Sequence, residues 1–125
     1  MLLAKRYPKM IKEQYINDHV RFRTAIQAVS NVTGIKRRHI LGNRRLRRYA
    51  DARQMAMLLT RQSTKLTFKG IGRLFDRDHS TVIHALKCIE NVMQVSRQHR
   101  DEFSQILGEY DRLIKELQNT DFLDQ

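Results

Sequence analysis

Apolar residues recur every three or four positions through most of the chain, which is the spacing of a helix with one buried face. The clearest stripe consists of Val82, Ala85, Leu86, Ile89 and Met93. Asp78 precedes this stripe, and a short acidic side chain is typical of a helix N-cap. The pattern therefore predicts a helix over 78–93 that Asp78 caps.

A shorter apolar pattern lies immediately upstream. Thr67 is placed to cap a short helix, whose buried positions would be Phe68, Ile71, Leu74 and Phe75. Only a tight turn fits between that helix and Asp78. Two helices joined so closely indicate a helix-turn-helix, whose second helix, here called the recognition helix, is the element that enters a DNA major groove.

The other apolar stripes predict further helices, and no segment alternates as a strand would. One stripe, from Phe22 to Val32, stops at Gly34, a residue suited to a left-handed C-cap. Asp51 is predicted to cap the next helix. The last helix is expected over 96–118, with apolar positions Phe103, Ile106, Leu107, Tyr110, Leu113, Ile114 and Leu117.

Together these elements predict an all-α fold, a compact helical domain with a helix-turn-helix and an extended C-terminal helix. The 125 residues, of which 41% are hydrophobic, suffice for one modest core. We divide the chain into a basic arm or short helix (1–20), the helix-turn-helix domain (21–95), an amphipathic helix packed on it (96–118) and a tail (119–125).

Charge narrows the class of partner. Lysine and arginine number 24 against 13 acidic residues, for a net charge of +11, and such an excess favours a polyanion. Nucleic acid is the leading candidate and an anionic membrane surface the alternative. No apolar run approaches the roughly 20 residues that span a bilayer, and the first four residues are too short for a signal-peptide core, so we expect a cytoplasmic protein.

The sequence offers little for catalysis, cofactors or metals. It contains neither a P-loop nor a nucleophile elbow, and the single cysteine, Cys88, excludes an intramolecular disulfide and a CxxC site. His79 and His84 are five residues apart and do not share a helix face, which argues against a metal site. We therefore expect neither an enzyme nor a bound cofactor or metal.

A basic stretch between Lys36 and Arg48 is nearly free of acidic residues. Its positive residues are Lys36, Arg37, Arg38, Arg44, Arg45, Arg47 and Arg48. One interpretation is a solvated loop that keeps the protein soluble. The other is a nucleic-acid contact, because arginine is favoured where the narrow minor groove concentrates negative potential. Residues 43–48, here called the arginine loop, are the candidate for that contact.

The first turn of the recognition helix is polar. Its chemistry suits base edges and phosphates, since Asp accepts from cytosine and the Thr methyl packs on thymine. The polar residues on this side are Asp78, His79, Ser80, Thr81, His84 and Lys87. Ordinary capping is the alternative explanation for His79, Ser80 and Thr81, and a place at the edge of the core is the alternative for His84. Acidic residues collect instead near the C-terminus, so the last helix should pack away from nucleic acid.

Several motifs in one order resemble a known family. The run from Asp78 to Ala85, DHSTVIHA, is similar to the recognition-helix signature of the C-terminal DNA-binding domain of the bacterial replication initiator DnaA. The run from Ala52 to Met57, ARQMAM, resembles a helix start of that domain, and Ile71-Gly72 with Phe75 resembles the first helix of its helix-turn-helix. The resemblance extends from Phe22 to about Leu113.

This resemblance implies an all-helical, Trp-repressor-like domain that binds double-stranded DnaA-box-like sites. Arg45 corresponds to the arginine that enters the minor groove, and Thr81 is the most secure of the major-groove positions. Arg53 and Gln54 match contacts at a helix start, and Arg61 a contact further along that helix. The full set of expected DNA-binding residues is Arg44, Arg45, Arg47, Arg48, Arg53, Gln54, Arg61, Lys69, Asp78, His79, Ser80, Thr81, His84 and Lys87.

The chain also departs from the family. Ala52 replaces the usual proline, Asp51 adds an acid, and Phe68-Lys69-Gly70 replaces a leucine-proline-glutamate-like stretch. The ATPase domain that precedes this module in the initiator is absent from the sequence, so we expect a stand-alone module without ATPase activity. It would regulate, assist or compete with the host replication initiator or other replication proteins.

Two other functions use the same fold. The helix over 96–118 could pair with itself or a partner, which makes the chain a protein-interaction module, and a transcriptional regulator could use the same DNA-binding surface. Structured RNA is a third possible ligand, but with 7% aromatic residues the chain offers no obvious stacking platform.

Overall fold

The computed structural model describes residues 16–123, with side chains to residue 119. Over that range the chain is helical and contains no strand, which confirms the predicted all-α class. The helices are α1 (Asp18–Thr33), α2 (Arg37–Ile40), α3 (Arg47–Ser63), α4 (Phe68–Phe75), α5 (His79–Val95) and α6 (Arg97–Leu123). Most of the predicted N-terminal arm and the end of the tail lie outside the described residues.

Both ends of α1 follow from local chemistry. The Asn17 side chain accepts a hydrogen bond from the backbone N–H of Val20 at 2.9 Å, so the helix begins earlier than its apolar stripe indicated. At the other end Gly34 adopts a φ of 75° and donates its N–H to the Ser30 carbonyl at 2.9 Å. Since glycine has no Cβ, it takes this left-handed conformation at little cost. The predicted C-cap is confirmed.

Helix α3 begins at Arg47, so the prediction that Asp51 caps it is wrong. Leu46 holds the N-cap position, with extended backbone and no side-chain cap bond. Asp51 lies inside the helix, and its Oδ2 is 3.2 Å from Nε2 of His99 on α6. The carboxylate is thus satisfied by a tertiary partner instead of by the N–H groups of a helix start.

Helix α3 forms the centre of the core. Its residues from Met55 to Thr60 are all buried, with α1 on one side and α5 on another. Phe22 of α1 meets Phe75 of α4 edge to face, with ring centroids 5.3 Å apart, a favoured aromatic geometry. Residues from every long helix are fully buried: Val29, Met55, Leu59, Ile71, Phe75, Val82, Ile89 and Ile106.

The predicted helix-turn-helix is formed by α4, a turn and α5. The Thr67 hydroxyl accepts from the Gly70 N–H at 3.0 Å, as predicted for the cap of α4. In the turn, Asp76 has a φ of 56° and Arg77 donates its N–H to the Gly72 carbonyl at 2.8 Å. A Cβ on Gly72 would overlap the Arg77 carbonyl oxygen. This glycine is therefore required by the tight turn.

Asp78 stands at the N-cap position of α5, but its carboxylate makes no cap hydrogen bond. The predicted capping role of its side chain is therefore wrong. Its backbone carbonyl does accept the first helical bond, from the Val82 N–H at 3.2 Å. The residue is exposed, so its carboxylate remains accessible.

Helix α6 packs mainly against α1 and also against α5. Phe103, Ile106, Tyr110 and Ile114 are buried in the core, and the core also contacts Leu107, Leu113 and Leu117. The apolar stripe of this helix is thus covered by the chain itself. The helix continues to Leu123, beyond the predicted end at 118. No helix in the described range is both long and apolar enough to cross a membrane.

Candidate nucleic-acid interface

The recognition helix α5 separates its two faces cleanly. Val82, Ala85, Leu86 and Ile89 are buried against α3 and α4. The opposite side is exposed and carries six of the predicted site residues, namely Asp78, His79, Ser80, Thr81, His84 and Lys87. His84 also lies 3.4 Å from the sulfur of Cys88, one turn further along. The structure therefore brings this predicted set onto one accessible surface.

The arginine loop approaches the same region. Residues 41–46 connect α2 to α3 without helical structure, and Arg47 and Arg48 form the first turn of α3. The side chains of Arg44, Arg45, Arg47 and Arg48 are all exposed. Within the described part of the chain, the ion pairs involve other residues. These four positive charges are thus not neutralised by neighbouring carboxylates there.

Arg53 does not lie on the exposed surface where we predicted it. Its side chain is buried, with Nε donating to the Ile40 carbonyl at 2.9 Å and Nη2 to the His39 carbonyl at 2.9 Å. A longer bond of 3.4 Å reaches the Arg44 carbonyl. Burial, and then the nearby charge of Arg77, lower its pKa. Arg53 holds backbone carbonyls at the base of the arginine loop, so the expectation that its side chain is exposed has to be corrected.

Arg77 is a residue to which the sequence analysis gave no role. Its guanidinium donates to the carbonyl of Phe75 at 2.6 Å, of Leu41 at 3.4 Å and of Gly42. It therefore links the turn of the helix-turn-helix to the connection that carries the arginine loop. In the sequence, only its position directly before Asp78 distinguishes Arg77. Its carbonyl partners come close to it only in the folded chain, so the sequence pattern does not indicate them.

A cleft lies where Arg77 joins the turn of the helix-turn-helix to the connection between α2 and α3. Arg45, Arg53, Arg77 and Thr81 are among the residues that line it. An adjoining depression continues along the turn and includes the exposed side chain of Arg73, which the sequence analysis also did not select. The candidate minor-groove arginine and the candidate base-reading threonine thus line the same cleft.

Helix α3 and the start of α4 contribute a second positive region. The Arg61 guanidinium lies 4.2 Å from the Phe68 ring centroid, a cation–π geometry, and donates to the Leu66 carbonyl at 2.9 Å. Lys69, in the first turn of α4, is exposed. Gln54, near the other end of α3, is half-buried. Arg61 is thereby held at the junction of two helices with its other donors free to reach outward.

An aromatic stack borders the arginine loop. The His39 and Tyr49 rings are 4.6 Å apart and nearly parallel, and the Arg44 guanidinium lies 6.0 Å from the Tyr49 ring centroid. Burial lowers the pKa of His39, and the positive charges of Arg38, Arg44 and Lys36 lower it further. Its surroundings thus favour the neutral form of the imidazole.

Ser96, His99 and Asp51 form a hydrogen-bonded chain that resembles a catalytic triad. Ser96 Oγ lies 2.6 Å from His99 Nδ1, and His99 Nε2 lies 3.2 Å from Asp51. In the protease arrangement the serine bonds Nε2 and the carboxylate Nδ1, which is the reverse of the order here. Ser96 Oγ also accepts the His99 backbone N–H at 3.3 Å. These hydrogen bonds cap α6 and connect it to α3.

No group of three His, Cys, Asp or Glu side chains in the described range is arranged to hold a metal ion. The exposed polar groups of α5 and the unpaired arginines beside it are instead suited to an extended, negatively charged ligand.

The family model for the bacterial dnaA protein helix-turn-helix matches residues 23–89. The chain belongs to this family. The matched span runs from α1 to the middle of α5, so it includes the arginine loop, the bridge made by Arg77 and the first turns of the recognition helix. The DnaA helix-turn-helix is a DNA-binding module, which accounts for the exposed polar face of α5 and for the excess of arginine around it.

Several chromosomal replication initiator proteins are similar to this chain. DnaA 2 of Protochlamydia amoebophila is 45% identical over 69 residues, which is 55% of this chain and 15% of that protein. DnaA 1 of Chlamydia trachomatis is 32% identical over 99 residues, 79% of this chain and 22% of that protein. DnaA of Wolbachia pipientis is 39% identical over 79 residues, 62% and 17% respectively. The chain therefore corresponds to less than a quarter of the length of these relatives.

Proposed function

We propose that this chain binds double-stranded DNA sequence-specifically at DnaA-box-like sites. In the proposed complex α5 enters the major groove by its N-terminus, and the arginine loop enters the adjacent minor groove. The observation that carries the proposal is the contact of Arg77 with the carbonyls of Leu41 and Gly42, because it ties these two elements together within a DnaA helix-turn-helix.

Base discrimination is assigned to the first turn of α5. Asp78, His79, Ser80 and Thr81 are exposed there, and their buried neighbours fix the helix that presents them. A carboxylate accepts from cytosine N4, an imidazole or hydroxyl donates or accepts, and the threonine methyl packs on a thymine methyl. His84 and Lys87 continue the same side of the helix towards the phosphates that border the groove.

Most of the affinity is assigned to phosphate contacts and therefore depends on salt. Arg44, Arg47 and Arg48 carry charges that no described carboxylate neutralises, and Arg61, Lys69 and Lys87 extend the positive surface. On α6, by contrast, Arg112 is paired with Glu109 and Glu116. That helix packs mainly on α1, and we assign it no DNA contact.

The biological setting is inferred from the relatives, which are named as chromosomal replication initiators. We propose that the chain acts at replication-origin sites in the cytoplasm, as a regulator, an accessory factor or a competitor of the initiator. Its 125 residues contain no P-loop, so this segment is proposed to occupy a site without hydrolysing ATP.

Fluorescence anisotropy tests the proposal. Binding to a DnaA-box duplex and to a scrambled duplex of equal length is measured across a series of salt concentrations. We expect the box to bind on the order of a thousandfold tighter. If both duplexes bind equally well with the same salt dependence, the proposed reading of sequence is wrong.

A pair of variants localises the discrimination. Thr81→Ala should weaken binding to the box while leaving binding to the scrambled duplex almost unchanged. Ser104→Ala, at an exposed position on α6, is the matched control and should change neither. Equal losses on both duplexes for Thr81→Ala would assign this residue to backbone contact.

A further inference from the structure

Leu46 is an exposed apolar residue inside the arginine loop. It is 47% exposed, and Arg44 and Arg45 precede it while Arg47 and Arg48 follow. In the described range the other exposed large hydrophobic residues are Leu41 and Val95. Two of these three side chains therefore lie in the connection between α2 and α3, on the side of the molecule assigned to DNA.

The free protein gains little from a leucine at this position. Leu46 occupies the N-cap of α3, where Ser, Thr, Asp or Asn would accept a hydrogen bond from the first turn, and it makes no such bond. It is not among the residues of the core cluster or those packed against it. Both the exposed surface and the missing cap are unfavourable for folding, so a benefit in the bound state is the more economical explanation.

The surroundings of Leu46 indicate what that benefit is. Four exposed guanidinium groups would be drawn to the phosphates on either side of a groove, which places the side chain between them over the groove itself. The walls of the minor groove are deoxyribose carbons, and proteins that bind there use leucine and other apolar side chains together with arginine. An acidic side chain at position 46 would be repelled by the phosphates that border the groove.

We propose that Leu46 packs against the sugar walls of the minor groove beside Arg45 and is a determinant of affinity and of A·T preference there. This inference rests on the proposed function, since it requires the arginine loop to enter that groove. A G·C pair projects the guanine amino group into the minor groove, and that group would occupy the space that the leucine methyls need.

The first test compares Leu46→Ala with Leu46→Met. Removing the exposed side chain should weaken binding to the DnaA-box duplex about fivefold, while the melting temperature and the slope of log K against log salt stay as in wild type. Methionine retains an apolar side chain and should bind within about twofold of wild type. Val95→Ala, at the far end of α5 and 86% exposed, controls for the general loss of exposed apolar surface.

The second test alters only the minor groove of the DNA. Replacing adenine by 2,6-diaminopurine adds an amino group there and leaves the major-groove edge of the base unchanged. Wild type should lose affinity for this duplex, and Leu46→Ala should lose at least twofold less, because the methyl groups that meet the amino group are gone.

The outcomes separate the two proposals. If the wild type shows no preference for the box, the proposed function fails. If the preference is present but Leu46→Ala binds as tightly as wild type, only the role of Leu46 is wrong. Equal sensitivity of Leu46→Ala and wild type to diaminopurine likewise overturns its placement in the minor groove.

Discussion

The guanidinium of Arg53 donates through Nε to the carbonyl of Ile40 at 2.9 Å, so an interior residue of α3 fixes the C-terminus of α2. Together with its bonds to the His39 and Arg44 carbonyls, this contact satisfies backbone groups at the base of the arginine loop. The guanidinium of a buried arginine that donates only to carbonyl oxygens can be replaced without loss only by a group whose N–H donors have the same geometry.

Arg53→Lys should therefore lower the free energy of unfolding by about 2 kcal/mol, since one ammonium cannot reach all three carbonyls. Urea denaturation monitored by circular dichroism measures the change. Arg45→Lys, at an exposed position of the loop, should stay within about 0.5 kcal/mol of wild type. If the two variants are equally stable, the structural role of Arg53 is contradicted.

Substituting glycines gives opposite effects at two positions. Gly72→Ala should destabilise the fold by at least about 2 kcal/mol, because the new methyl overlaps the Arg77 carbonyl oxygen in the turn. Gly108 lies in the middle of α6 with open space around its Cβ position. Gly108→Ala should raise stability by about 1 kcal/mol through helix propensity. Thermal and urea denaturation of both variants check the signs, and a neutral Gly72→Ala would refute the close approach.

Asp76 offers a stabilising change in the same turn. Its φ of 56° lies in the left-handed region, which glycine occupies more readily than aspartate. Asp76→Gly should leave stability unchanged or raise it by up to about 1 kcal/mol, and Asp76→Val should lower it by about 1–2 kcal/mol. The difference in urea midpoint between the two variants is the measurement. A valine variant as stable as the glycine variant would contradict the assigned conformation.

Glu109 gives stability a defined dependence on pH. Hydrogen bonds from Arg112 and Asn31 lower the pKa of its carboxyl from 4.5 to about 2. Because the pKa is lower in the folded state, the contribution is complete above about pH 4.5 and is lost as pH falls towards 2. Glu109→Gln should flatten the stability profile between these values. Glu116→Gln, which removes the other carboxylate bonded to Arg112, is the control.

Major-groove reading is tested by His79→Ala alongside Thr81→Ala. Each should cost roughly 1–3 kcal/mol on the box duplex and little on scrambled DNA. Both side chains are exposed and neither is part of the core, so the free energy of unfolding should hardly change. Loss of stability together with loss of affinity would assign them to capping instead.

Most features set by neighbouring residues were predictable from the sequence, although the capping bond predicted for the Asp78 side chain is absent. The Gly34 C-cap and the Thr67 N-cap depend on partners three or four residues away, as do the apolar stripes of α5 and α6. Asp51 was misassigned because its partner, His99, lies 48 residues further along the chain. A short polar residue before a stripe looks the same whether it caps a helix or bonds across the fold.

Within the candidate site, the sequence likewise does not distinguish exposed arginines from arginines that hold the fold together. Arg45 and Arg53 both resemble DNA-contacting positions of the family, and only the fold shows that one is exposed and the other buried. Arg77 contacts carbonyls 35 and 36 residues earlier, which no local pattern indicates. Exposure and hydrogen-bond partners, rather than residue type, thus distinguish groups that can reach a ligand from groups that support it.

The hydrogen bonds of Arg77 also set the distance between the recognition helix and the arginine loop. In the proposed complex, the helix in one groove and the loop in the next cannot slide past each other, so they meet the duplex at a constant offset. Inserting one base pair between the two contacted steps would rotate one step relative to the other by about a tenth of a helical revolution. Recognition of a site then depends on the distance between the two contacted steps as well as on the bases at each step.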